Sequence, residues 1–114
     1  DINKGDKNGN TPLLISCACE KKYESIITFL VEKGADTNKA NKYGESPLTV
    51  IDIKKDEKIA KLLIENGANM NKRYKNGDTP LTISCKNGYE DIIKYLIEKG
   101  VDINKENKDG DPPV

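Results

Sequence analysis

The chain repeats itself every 33 residues, and this recurrence constrains its fold more than any other feature. Pro12, Pro47, Pro80 and Pro113 stand 35, 33 and 33 residues apart, within "NTPLLISC", "ESPLTVID", "DTPLTISC" and "DPPV". Gly34, Gly67 and Gly100 follow at intervals of 33. The first copy therefore carries two extra residues, and comparing "ISCACEKKYESI" with "ISCKNGYEDI" puts them near residues 18–22. "DIN" opens the chain and returns at Asp102, so the chain is expected to begin inside the tail of an earlier unit and to be a piece of something longer. Periods of 20–50 residues mark units that stack on one another instead of closing around a single centre.

Each unit reads as two short helices and a turn. Thr11, Ser46 and Thr79 are N-cap residues, each followed by proline at the first helical position. The first helix is expected to run about eight residues, with Leu13, Leu48 and Leu81 inward and Ile15, Val50 and Ile83 two residues on. Small Ser16, Cys17, Ser84 and Cys85 suit close approach between units. A reversal follows, clearest in "KNGY" at residues 86–89. The second helix carries apolar residues at i, i+1, i+3 and i+4: Ile26, Ile27, Phe29, Leu30; Ile59, Ala60, Leu62, Leu63; Ile92, Ile93, Tyr95, Leu96. Gly34, Gly67 and Gly100 end it where a left-handed backbone is needed. Polar stretches such as "ADTNKANKYG" then form projecting, hairpin-like loops. One such helix pair cannot bury its stripe alone, whereas stacked pairs cover each other.

Composition narrows the function. Lys+Arg and Asp+Glu number 19 each, so net charge gives no general attraction to nucleic acid or an anionic membrane. No apolar run reaches the ~20 residues that span a bilayer, so no membrane insertion is expected. Cys17, Cys19 and Cys85 are odd in number and lack CxxC spacing, which argues against a disulfide framework or a zinc site and for a reducing, intracellular and cytoplasmic setting. Matching positions two units apart make Cys17 and Cys85 small buried hydrophobes, with Cys19 exposed near the insertion. The chain has no histidine, the commonest general base and metal ligand, and no clustered acid–base pair; catalysis and cofactors are not expected.

The segments "GNTPLLISC", "GESPLTVID" and "GDTPLTISC", with "LVEKGADTN", "LIENGANMN" and "LIEKGVDIN", resemble the ankyrin repeat over essentially the whole chain. The resemblance implies an all-α solenoid of helix-turn-helix units joined by short β-hairpin-like loops. It divides the chain into a repeat tail at residues 1–5, repeats at 6–40, 41–73 and 74–106, and a truncated start at 107–114. Three departures stand out. Leu14, Thr49 and Thr82 occupy the place where the family often has His, so any Thr–His hydrogen bond there is lost. Ile51, Asp52 and "KKDE" replace small residues and a Gly turn, so the second unit is expected to pack less regularly. Pro112 stands where Thr is expected in the last unit.

By the same resemblance the function is a non-catalytic protein-interaction scaffold that docks a protein partner on a concave face. Contacts would fall around the hairpin glycines, on Lys7, Asn8, Asn10, Lys42, Tyr43, Glu45, Lys75, Asn76 and Asp78. The outward first-helix positions Ile53, Lys54, Lys86 and Asn87 would join them, with Arg73 and Tyr74 at a finger base. A spacer or spring within a larger multidomain protein is the alternative. Asn-Lys pairs at Asn3, Asn38, Asn71 and Asn104, and Lys7, Lys42, Lys75 and Lys108 before the hairpin glycines, would align as lysine rows. Interleaved acidic residues (Asp6, Glu45, Asp78, Glu106, Asp109, Asp111) and few aromatics point to solvated loops, not to nucleic acid. Asp52 is expected to turn to solvent or to bond a nearby N–H or Lys. An open stacking face, with Leu13, Ile15 and the first second-helix stripe partly bare, would give weak end-to-end self-association.

Overall fold

A computed structural model describes residues 1–21 and 23–103. Lys22, at the insertion, and Asn104, Lys105, Glu106, Lys108, Asp109, Asp111, Pro112, Pro113 and the repeat start at 107–114 lie outside the described residues. The chain forms two compact units, Asp1–Asn69 and Met70–Val114.

The described residues are all-helical, as expected. Unit 1 holds α1 (Pro12–Ala18), α2 (Glu24–Glu32), a single 3-10 turn (Pro47–Thr49) and α3 (Glu57–Glu65); unit 2 holds α4 (Pro80–Asn87) and α5 (Glu90–Glu98). In unit 1 the helix pairs lie side by side, α1 against the 3-10 turn and α2 against α3, with α1 also packed on α2. In unit 2, α4 packs on α5. Each first element starts on the expected cap with proline behind it. α2, α3 and α5 end on Gly34, Gly67 and Gly100 at φ +95°, +92° and +88°. Their residues one further on, Ala35, Ala68 and Val101, are buried and donate back to Leu30, Leu63 and Leu96 at 3.0, 2.9 and 3.1 Å. Both backbone bonds of a Schellman close thus form three times.

The second first helix departs from the expected eight residues and stops after one 3-10 turn. Asp52 explains this. It is exposed, its Oδ1 accepts from the N–H groups of Lys54 (3.0 Å) and Lys55 (3.1 Å), and its carbonyl accepts from Asp56 N–H at 2.8 Å. A side chain that satisfies the backbone locally competes with helix continuation. Ile51 and Ile53 are buried around that turn.

The missing His does not leave the caps bare. Thr49 and Thr82 return the bond themselves: Ser46 N–H donates to Thr49 Oγ1 at 2.9 Å, and Thr79 N–H to Thr82 Oγ1 at 2.8 Å. At α1, Thr11 accepts from Leu14 N–H at 3.2 Å, but a leucine offers no acceptor in return.

The core is narrower than the stripes imply. On α2 only Ile27 and Val31 are buried, while Ile26 and Phe29 are exposed. On α3, Ile59, Ala60, Leu63 and Ile64 are buried; on α5, Ile92 and Leu96. Leu13 is buried, against its expected exposure at a bare end, whereas Ile15 is exposed. Cys17 is buried and Cys19 exposed as expected; Cys85 is only half-buried, and burial still raises its thiol pKa.

Candidate functional site

The loops between helix pairs are fingers closed by backbone bonds; among the described residues none contains an assigned strand. The finger at residues 6–10 closes through Asp6 N–H to Asn10 carbonyl (3.0 Å) and Gly9 N–H to Asp6 carbonyl (2.8 Å). The next repeats the pattern with Asn41 to Glu45 (2.9 Å) and Gly44 to Asn41 (3.1 Å), and unit 2 with Tyr74 to Asp78 (2.7 Å) and Gly77 to Tyr74 (2.9 Å). Side chains at the first finger position reinforce the turn. Asp6 Oδ1 accepts from Asn8 and Asn10 N–H groups at 2.9 and 3.0 Å, and Asn41 Oδ1 accepts from Tyr43 and Glu45 at 2.9 and 3.0 Å. Those bonds from Asn10 and then Asn8 hold the Asp6 carboxyl below its ordinary value. Tyr74, at the same position in unit 2, cannot accept in this way; there the Arg73 guanidinium donates to the Gly77 carbonyl, and Asn76 Oδ1 accepts from Asp78 N–H at 2.9 Å.

In unit 1 the two fingers are tied together. Lys42 N–H donates to the Asn8 carbonyl at 2.9 Å. Asn41 Nδ2 donates to Asn10 Oδ1 at 2.9 Å and to Glu45 Oε1 at 2.8 Å. Fingers and first-helix elements enclose a groove of about 330 Å³, lined by Asn10, Asn41, Tyr43 and Glu45 on the finger side. Leu14, Ile15, Ala18, Cys19 and Val50 line the other side. Tyr43 stands out of it at 63% exposure, with Lys42 Nζ 5.2 Å from its ring centroid.

The expected contact residues are thus only partly brought together. Asn10, Tyr43 and Glu45 share the groove, and Lys7, Asn8 and Lys42 lie on the same two fingers. Ile53 is buried, because the Asp52 turn replaces the helix that would have pointed it outward. Lys54 lines a different depression, about 600 Å³, with Lys55 and Lys58 facing Glu20, Glu24, Asp56 and Glu57. In unit 2, Arg73, Lys75, Asn76, Lys86 and Asn87 are exposed. Asp78 is buried and paired with Lys86 Nζ at 3.2 Å, so these two serve each other. Tyr74, expected as a contact at the finger base, is half-buried with its hydroxyl enclosed.

Sequence reading missed Ile15, Ala18, Cys19 and Val50 in the groove wall. The signal was present: α1 ends at Ala18 without a glycine close, which leaves that end of the helix open. It also missed the work of the recurrent asparagines. Asn3 Oδ1 accepts from Asp36 N–H at 2.7 Å and its amide donates to the Gly34 carbonyl at 3.2 Å. Asn38 does the same with Asn69 (2.7 Å) and Gly67 (2.8 Å), and Asn71 Oδ1 accepts from Asp102 N–H at 3.0 Å. The "NK" recurrence therefore clamps one repeat's tail to the next helix end; Lys39 Nζ likewise donates to the Asn3 carbonyl at 2.8 Å.

Helix pairs with proline-led caps, glycine closes, asparagine clamps and cross-tied fingers define a stacked repeat protein. The model of a family described as Ankyrin repeats (3 copies) matches residues 1–74, and a second, Ankyrin repeats (many copies), matches residues 53–97. The chain belongs to the ankyrin repeat family, whose repeats generally mediate protein–protein interaction. It is 50% identical over 48 residues to Inhibitor of Apoptosis OPG037 of Monkeypox virus, covering 42% of this chain and 11% of that protein. Against the protein of that name from Vaccinia virus (strain Western Reserve), identity is 48% over 48 residues, 42% of this chain and 10% of the relative. Protein phosphatase 1 regulatory subunit 27 of Mus musculus is 49% identical over 52 residues, 46% of this chain and 32% of the subunit. The chain thus spans a minor part of each relative's length. None of the helices among the described residues is long and apolar enough to cross a membrane.

Proposed function

We propose that this chain is a non-catalytic docking module that binds a protein partner through the finger-side groove of unit 1. The observation that carries the reading is Tyr43, an exposed aromatic standing over a groove with an apolar wall and a polar, hydrogen-bonded rim. Aromatic anchors beside apolar pockets are where binding energy concentrates. The fingers are already cross-tied by Asn41 and by the Lys42–Asn8 backbone bond, so docking orders little that is not ordered beforehand. Lys7 and Lys42 supply polar contacts on the two fingers of unit 1. The mouse relative is, by its name, a regulatory subunit of a phosphatase, a non-catalytic role in keeping with this reading.

The test is affinity capture from native extract with the wild-type chain and with Tyr43→Ala, Ile15→Asp and Tyr74→Ala. A partner lost with Tyr43→Ala and Ile15→Asp, but retained with Tyr74→Ala, supports the groove. A partner that ignores both groove changes overturns the groove, and consistent failure to capture any supports the spacer reading.

A further inference from the structure

The polar groups around the unit 1 groove are not used alike. Asp6 Oδ1 accepts from the N–H groups of Asn8 and Asn10, and Glu45 Oε1 accepts from Asn41 Nδ2, so both acids serve the fingers' own bonds. Lys42 is exposed beside the Tyr43 ring at the groove's edge, and among the described residues it enters no ion pair. The amide orientations at the finger bases are forced. Asn41 Oδ1 takes the backbone N–H groups of Tyr43 and Glu45, so its Nδ2 is the group that faces Asn10 and Glu45. Asn10 meets it with Oδ1. The other half of that carboxamide, Asn10 Nδ2, has no acceptor among the described residues, although Asn10 is half-buried and lines the groove. A donor held in place beside an apolar wall asks for an acceptor on whatever docks there. Glu45 shares the partner Asn41 with it, so a neutral carbonyl suits that place and a carboxylate does not.

We infer, resting on the docking role proposed above, that the occupant is an extended segment of another protein in which an apolar residue stands beside Asp or Glu. The apolar side chain packs on Leu14, Ile15 and Val50, and a main-chain carbonyl accepts from Asn10 Nδ2. The acidic side chain reaches outward to Lys42. Extended backbone fits because it keeps its carbonyls available, whereas a helix spends them on itself. A nucleic acid fits poorly: it brings phosphates along its whole length, to the Glu45 side as well as to Lys42. Both fingers that bound this groove, and the wall between them, are residues of unit 1, so the pairing is complete within it.

Selection of short random peptides displayed on phage against the whole chain tests it. The comparison uses three variants at exposed positions, Ile15→Asn, Tyr43→Ala and Lys42→Glu, each checked for folding by circular dichroism. Lys42→Glu reverses one charge and keeps the backbone N–H that bonds Asn8. Clones selected by the wild type carry Asp or Glu beside an apolar residue and are lost with Ile15→Asn and with Tyr43→Ala. Their affinity falls on the order of tenfold with Lys42→Glu. Selection on Lys42→Glu itself brings Lys or Arg to the same place. Clones that need Ile15 yet carry no acidic residue, or that bind Lys42→Glu as well as the wild type, overturn this inference and leave the groove standing. Basic clones selected by the wild type overturn it too, because Glu45 and not Lys42 would then choose the partner. Clones indifferent to both Ile15→Asn and Tyr43→Ala, or no clones at all, overturn the groove and this inference together.

Discussion

The Asn38 side chain reaches the end of the following helix, where its Nδ2 donates to the Gly67 carbonyl at 2.8 Å. Its Oδ1 accepts from Asn69 N–H at 2.7 Å, so one amide satisfies two backbone groups that the helix close leaves over. Asn38→Ala removes both bonds, and at about 0.5–1.5 kcal/mol net for each the expected loss is roughly 1–3 kcal/mol. Lys4→Ala, at a solvent-exposed position, is expected to stay within about 0.5 kcal/mol. Urea unfolding of both variants checks the contrast. Equal losses would mean that the clamp does not hold the repeats.

The reciprocal cap at α4 predicts a second contrast. Thr79 and Thr82 are both buried, and Thr82 Oγ1 is the acceptor for Thr79 N–H. Thr82→Val keeps the shape and leaves that N–H buried without its acceptor, at an expected cost of about 1–3 kcal/mol. Thr49→Val removes the same bond at the Ser46 cap, but Thr49 is only half-buried, so water can replace its hydroxyl and the change should cost less. Calorimetric melting of the two variants gives the order, and a larger loss for Thr49→Val would refute the assignment.

The finger glycines separate backbone strain from steric conflict. Gly9 and Gly44 sit at φ +83° and +79°, a region costing other residues roughly 1–2 kcal/mol. A Cβ on Gly44 meets nothing within 4 Å, whereas one on Gly9 comes within 3.1 Å of Asn41 Cα and 3.2 Å of Lys42 N in the neighbouring finger. Gly9→Ala is therefore expected to destabilise more than Gly44→Ala and to weaken the Lys42–Asn8 bond as well. Hydrogen exchange at Lys42 reads this directly: faster in Gly9→Ala, unchanged in Gly44→Ala.

Most of the architecture was legible because it rests on chemistry that repeats. Thr-Pro starts, glycine closes and the 33-residue spacing each have one physical reading, and together they indicate stacked helix pairs. What escaped depends on neighbours. Ile26 and Ile59 are the same residue at the same helix position, yet only the latter is covered. Thr82 looked like the loss of a histidine bond, because a sequence does not show that a hydroxyl can return it. Asp52 looked like an oddity within a helix, while its contacts to Lys54 and Lys55 end that helix. At the candidate site, the exposure of Tyr43 was readable from its place in a polar loop. Tyr74 was not, because the enclosure of its hydroxyl arises from the fold of unit 2.

Acid should loosen the first finger before the second. Asp6 is solvent-exposed, and its carboxylate is stabilised first by Asn10 N–H and then by Asn8 N–H, which puts its folded pKa below the ordinary 3.8. A depressed carboxyl contributes stability that is complete above its unfolded value and fades as pH falls through the folded one. The finger is therefore intact from neutrality to about pH 4 and loses these bonds below that, while Asn41, an uncharged amide in the same place, holds its finger throughout. In an NMR titration the Asn8 and Asn10 amide resonances should move together with a midpoint below 3.8, and the Tyr43 amide should not follow. Asp6→Asn should abolish the movement, since its side-chain carbonyl can still accept but no longer titrates. A midpoint above 3.8, or an unchanged titration in Asp6→Asn, would show that the carboxylate is not what closes the turn.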